Sequence, residues 1–103
     1  NIEILGKGFE YKKFQQYVVN FKPGDGSGNP SVVHLGLESV FVLEGSVEFT
    51  VGEAAFPLAS GDHIIFDSNI PHHWHTIGEN SGQMLISFFT TDELVSQMFF
   101  RNG

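Results

Sequence analysis

Turn-forming residues recur along this chain every eight to twelve residues, and that rhythm limits the fold more than any other feature. Twelve glycines and four prolines break the 103 residues into short runs rich in Val, Ile, Phe and Thr. Short β-rich runs between regularly spaced turn signals are the pattern of an all-β sandwich or barrel. Residues 15–21 (QQYVVNF), 31–35 (SVVHL), 38–45 (ESVFVLEG), 46–51 (SVEFTV), 54–58 (AAFPL), 63–66 (HIIF), 72–77 (HHWHTI) and 83–89 (QMLISFF) read as strands. Residues 23–29 (PGDGSGN) read as a loop and 60–62 (SGD) as a turn. A chain this short is one domain, spanning residues 1–103, and it buries about 65% of its unfolded surface.

Alternation assigns faces within the runs. In residues 46–51, Val47, Phe49 and Val51 share one side and Glu48 and Thr50 the other, so one face is buried and one is wet. Residues 38–45 are apolar on both sides, which predicts a strand covered on both faces, with Phe41 and Phe66 as packing residues. Gly45 between two runs marks a tight hairpin, and Pro57 marks an edge or a bulge. In residues 15–21 either parity, Gln16/Val18/Asn20 or Tyr17/Val19/Phe21, can line the interior. Only the end reads as helix: Thr90 and Glu93 have capping-box spacing, and Leu94, Val95 and Met98 form a stripe, predicting a short helix over 91–98.

Charge and composition exclude several roles. Five Lys+Arg against twelve Asp+Glu give a net charge of −7, the wrong sign for nucleic-acid binding by this domain itself. No apolar run reaches the roughly 20 residues of a membrane span, and no signal peptide is legible in residues 1–13; the cytoplasm stands as the default compartment, not as an inference from these features. The absence of cysteine rules out disulfides and thiolate metal sites. The first residue is Asn1 rather than Met, which fits a fragment of a longer protein.

Four of the five histidines fall within residues 63–75. Strand parity divides them: His72, Trp74 and Thr76 point one way, His73 and His75 the other. The bland reading of each is a surface or satisfied core histidine. His73 and His75 belong to the surface or an interface, and His63 beside Asp62 reads as a surface Asp–His pair. Glu44 and Glu48 read as a solvated rim. His72 is different. It follows the rigid Pro71, and upstream stand His34 and Glu38, four residues apart around a glycine. Two imidazoles and one carboxylate make a facial triad with open positions, suited to Fe, Mn, Zn or Ni.

Laid out in order, Gly26, Val32, His34, Glu38 and Gly45, then after fifteen residues Gly61, Asp67, Asn69, His72 and Thr76, the chain resembles the cupin superfamily. The two motifs of that superfamily read G-x5-H-x-H-x3,4-E-x6-G and G-x5-P-x-G-x2-H-x3-N. The resemblance covers residues 14 to 90. It implies a cupin-type double-stranded β-helix, a jelly-roll barrel, here ending in a short C-terminal helix. The departures are specific. Val32 stands where the first histidine belongs, and Asp67, Asn69 and Thr76 replace proline, glycine and asparagine. The metal set implied is therefore reduced to His34, Glu38 and His72. Alternatively the same three side chains bind a small ligand, or each other, without metal. Trp74, Thr76, Val32 and Val40 are the implied ligand-pocket residues, with Trp74 otherwise a core residue.

Residues 67–74 (DSNIPHHW) and the run HLGLESVFVLEG (34–45) are most similar to the C-terminal cupin domain of helix-turn-helix transcriptional regulators. That likeness implies a small-molecule-sensing domain, with DNA binding left to a separate module. The alternative is a stand-alone metal-dependent cupin enzyme of oxygenase or isomerase type. The apolar ends IEIL and MFF, and the habit of small cupins, imply a homodimer.

Overall fold

A computed structural model describes residues 2–5, 14–27 and 36–89. They form eight strands: β1 (Ile2–Leu5), β2 (Phe14–Phe21), β3 (Leu37–Glu44), β4 (Ser46–Val51), β5 (Ala54–Ala59), β6 (His63–Asp67), β7 (His72–Thr76) and β8 (Gly82–Phe89). One sheet has the order β1-β2-β8-β3-β6 and the other β5-β4-β7, and every neighbouring pair is antiparallel. The crossovers between the sheets are those of an all-β cupin fold, as expected. The predicted strand at 31–35 and the predicted helix over 91–98 lie outside the described residues.

Two apolar faces meet between the sheets. Val19, Phe21, Val40, Val42, Met84 and Ile86 come from the five-stranded sheet, and Val47, Phe49 and Leu58 from the other. Val47 and Phe49 are fully buried, as the alternation in β4 requires. Registry then carries the inner face across to β7: Val47 lies opposite Thr76, Phe49 opposite Trp74, and Val51 opposite His72. The parity of β2, open in the sequence, resolves to Tyr17, Val19 and Phe21, because Val19 and Phe21 are buried and pair with Met84 and Gly82 of β8.

The turns follow their residue chemistry. Gly45, at φ 82°, links β3 to β4 in a conformation that costs a side-chain-bearing residue. Pro57 sits in β5, an edge strand, where a missing N–H does not break a ladder on the open side. A register shift between Val42 and Glu44 bulges β3 where it leaves β8.

Two expectations need correction. β3 is covered on one face only: Leu37, Phe41 and Leu43 are exposed, so Phe41 is a surface ring leaning on His63 (centroids 6.0 Å apart) rather than a packing residue. Phe66, by contrast, does pack against the core. His63 is within hydrogen-bond distance of the Ser39 hydroxyl (2.7 Å), while Asp62 accepts from the amide of Ala59 (2.8 Å), so the two neighbours do not form the surface pair their adjacency implied. The N-terminal IEIL forms β1 and pairs with β2, with Ile2 exposed.

Candidate functional site: a buried acid–imidazole pair

Among the described residues, the inner face of the barrel carries two buried ionisable side chains from remote parts of the chain. Glu38 occupies the same parity of β3 as Val40 and Val42, and the strand that buries those valines buries it too. His72 opens β7 on the parity of Trp74 and is equally enclosed. His72 Nε2 and Glu38 Oε1 are 3.3 Å apart, each side chain only 4% exposed.

Local structure explains how the two meet. The turn between β6 and β7 is set by Asp67, whose carboxylate accepts from the Asn69 amide (2.9 Å) and whose carbonyl accepts from the Ile70 amide (3.0 Å). Asp67 thus shapes by side-chain hydrogen bonding to the Asn69 backbone amide the turn that proline and glycine shape elsewhere in the family. The Gly52 amide donates to the Pro71 carbonyl (2.8 Å), fixing the entry to β7. Ser68 is fully buried. Its amide (3.0 Å) and its hydroxyl (2.8 Å) both donate to the Gly36 carbonyl, two residues before Glu38. That double bond clamps the segment carrying the acid to the segment carrying the imidazole. Ser68 was not singled out by its spacing in the sequence. Only its burial reveals the role.

The protonation pattern follows from the partners. His72 Nδ1 is 2.8 Å from the carbonyl oxygen of Ile70. A carbonyl only accepts, so Nδ1 carries the proton and donates. In the neutral ring Nε2 is then the lone-pair nitrogen, and it faces Glu38. Phe66 and Phe88 flank Glu38 across the sheet on either side, and Phe66 also meets the His72 ring edge-on, with centroids 5.0 Å apart. Burial in these surroundings pushes the Glu38 carboxyl up from its ordinary value of 4.5 to about 7, because desolvation disfavours the anion. A protonated Glu38 can donate to Nε2. An ionised one would set two lone-pair atoms against each other unless a positive charge lies between them. The pair therefore accommodates a proton or a cation in one geometry.

The donor set fits a divalent metal ion in kind. It offers one carboxylate oxygen and one imidazole nitrogen whose other nitrogen is held by a carbonyl, the usual outer-shell arrangement of a metal-binding histidine. His34, the third expected donor, and Val32 lie outside the described residues. Among the described residues no group of three or more His, Cys, Asp or Glu is placed to hold a metal ion.

The remaining site residues distribute by parity. Val40 is completely buried in the core. Trp74 is half-buried, stacked on Phe49 (6.3 Å, 19°) and edge-on to Phe21 (6.2 Å, 61°). The Thr76 hydroxyl reaches the carbonyls of Lys22 (3.0 Å) and Asp25 (2.8 Å). It belongs to a seam in which residues 25–27 run along β7: the Thr76 amide donates to Asp25, and the Ser27 amide to the Trp74 carbonyl. Gly26 fits there because a Cβ would stand 2.7 Å from the Trp74 carbonyl oxygen. On the opposite parity, His75 is exposed and lies 3.8 Å from Glu48, an ion pair of little energetic weight.

Known proteins agree with this architecture. The profile of the cupin domain family matches residues 17–88. No curated protein matches the chain. Among solved structures, the cupin domain of Cnp3 from Schizosaccharomyces pombe superposes with a TM-score of 0.81 at 18% identity, covering 95% of this chain and 69% of that one. The Cupin_2 domain of an XRE family transcriptional regulator from Enterobacter cloacae gives 0.77 at 19% identity, covering 88% of this chain and 96% of that one. A conserved protein of unknown function from Streptococcus pyogenes gives 0.75 at 22% identity, over 89% and 75% of the two chains. With a profile spanning most of the chain and a barrel of this topology around the acid–imidazole pair, the protein belongs to the cupin superfamily as a Cupin_2 domain.

Proposed function

We propose that this chain is the small-molecule-sensing domain of a helix-turn-helix transcriptional regulator, and that its ligand is read inside the barrel beside Glu38 and His72. The observation that carries the proposal is the buried pair itself, two ionisable side chains 3.3 Å apart in an interior whose other buried residues, among those described, are apolar apart from Ser68. Burying such groups costs stability, and a binding role accounts for their placement. The regulator context is supported by likeness to the XRE regulator's cupin domain, nearly all of which this chain covers, and by the net charge of −7, which leaves DNA contact to another module.

Glu38 and His72, completed by His34, would hold a divalent cation, Fe, Mn, Zn or Ni. Such an ion supplies a positive charge and Lewis acidity that orient a ligand oxygen. The protein's own part is to hold Nε2 deprotonated through the Ile70 carbonyl and to keep water from the carboxylate through Phe66 and Phe88. Elemental analysis of protein purified without an affinity metal tests the metal; stoichiometric divalent ion supports it, and metal-free protein that takes up none on titration contradicts it. The reading frame upstream of Asn1 tests the regulator: a helix-turn-helix there supports it, and its absence contradicts it.

We also propose a homodimer through the outer face of the five-stranded sheet. Two apolar rows cross it, Val18–Leu85–Phe41 and Phe14–Phe89–Leu37, with Gln16–Ser87–Ser39 between them. None of these positions is Asp, Glu, Lys or Arg; the carboxylates of Glu3, opposite Val18, and Asp67, opposite Leu37, stand on the same face in the flanking strands β1 and β6, so the charge-free area open to a second acidic copy is confined to β2, β8 and β3. Sedimentation should give a dimer for wild type and a monomer for Phe41→Arg. A monomeric wild type would refute the interface.

A further inference from the structure

Beside the acid–imidazole pair the barrel has a cavity of about 370 Å3, within the size range of small-molecule sites, about 300–1,000 Å3. Its walls include Tyr17, Val19, Trp74, Ile86 and Phe88, with Ser27 at one side and no charged residue among the described residues. Two of its polar groups are already engaged. The Tyr17 hydroxyl donates to Gln15 Oε1 at 2.6 Å, and the Ser27 hydroxyl accepts from the Trp74 amide at 2.9 Å. Tyr17 and Phe88 meet edge-on, with centroids 5.6 Å apart, and Trp74 is braced from behind by Phe49. The walls are therefore aromatic, stiff and poor in spare hydrogen-bonding capacity. A larger hollow of about 660 Å3 elsewhere is bordered by Lys22, Asp25, Glu44 and Gln83 and shares no residue with this one.

The cavity and the pair are neighbours on the same inner face. Phe88 is the cross-strand partner of Glu38, and Trp74 follows His72 two residues on along β7. Along the described walls a molecule in the cavity meets mainly apolar and aromatic surface, and the acid–imidazole pair lies next to the cavity, beyond Phe88 and Trp74. From this, and resting on the reading of the barrel as a ligand-binding domain, we infer that the ligand is an uncharged, ring-containing small molecule with a single hydroxyl or carbonyl group. The ring lies against Trp74 and Phe88, and the polar group is directed toward Glu38 and His72. Sugars, nucleotides and amino acids do not match such walls, because their many polar groups would lose water without gaining partners.

Trp74 is the only tryptophan, so its fluorescence reports on the cavity wall alone. The test titrates the full chain with benzyl alcohol and cyclohexanol, neither of which absorbs at the red edge of tryptophan excitation, and in parallel with glucose, glycine and succinate. A saturable change in Trp74 emission is expected with the two neutral ring alcohols and none with the polar probes. Phe88→Leu should weaken benzyl alcohol about fivefold, since a ring-on-ring contact is lost, and weaken cyclohexanol less. Ile2→Arg, which places a charge at an exposed lining position, should weaken both alcohols and is the second variant if Phe88→Leu does not fold. A saturable response to a polar probe but to neither alcohol would overturn the ligand class while leaving the barrel a binding domain. No response to any probe would overturn the class and the sensing function together. Equal alcohol binding in wild type and both variants would also overturn it, by placing the molecule elsewhere.

Discussion

Replacing Glu38 by glutamine should stabilise the metal-free protein in a way that depends on pH. The carboxyl is raised from 4.5 to about 7 by burial, and at 1.36 kcal/mol per pH unit that displacement corresponds to about 3 kcal/mol between its protonation states. Below about pH 4.5 the group is protonated folded or unfolded and costs nothing. Between 4.5 and about 7 the unfolded chain has released the proton while the folded chain still holds it, so stability falls as pH rises. Above about 7 the carboxylate is buried as an anion and the full cost is present. Glutamine keeps the shape and the polar contact with His72 Nε2 but has no proton to lose. With metal removed by chelator, urea denaturation of wild type and Glu38→Gln should give a stability difference near its baseline at about pH 4.5, growing in favour of the variant by about 3 kcal/mol at about pH 8. Titration of the other carboxylates is common to both proteins and cancels. A difference that stays constant across that range would refute the buried, desolvated state assigned to Glu38.

Ser68→Ala removes the hydroxyl donor to Gly36 but keeps the amide donor. It should cost about 1 kcal/mol in urea denaturation, and more than a tenfold loss of divalent-ion affinity is expected if the clamp aligns Glu38 with His72. Phe49→Ala empties the centre of the core, where the ring is completely buried, and should lower stability by about 3–5 kcal/mol by the same assay. His75→Ala removes only an exposed pair with Glu48 and should change stability by less than about 1 kcal/mol and ion binding not at all.

Much of the architecture could be read from residue order because local chemistry and tertiary packing agree there. Glycines, and the Asp67–Pro71 turn between β6 and β7, delimit β4 through β8, and the alternation in Ser46–Val51 matches the buried face of β4. The parity of His72 and Trp74 against His73 and His75 held because β7 is regular from its first residue. Elsewhere the signal was ambiguous for a physical reason. Phe41 and Leu43 are apolar yet exposed, and a hydrophobic residue does not declare whether it faces a core or an open sheet face. β2 is apolar on both parities near its centre, so only its neighbour β8 decides which side faces in. Ser68 looks like any turn serine until its burial is seen. The pairing of Glu38 with His72 was legible through the cupin spacing, whereas the cavity beside it arises from aromatic residues of three separate strands.

The central claim is that Glu38 and His72 act together as one binding unit. Isothermal titration of chelator-stripped protein with Mn2+ or Zn2+ tests it most directly, comparing wild type with Glu38→Gln and His72→Ala. One ion per chain is expected for wild type, with binding lost or weakened more than a hundredfold in both variants while His75→Ala binds as wild type. Undiminished binding in the two variants, or no binding by wild type, would contradict it.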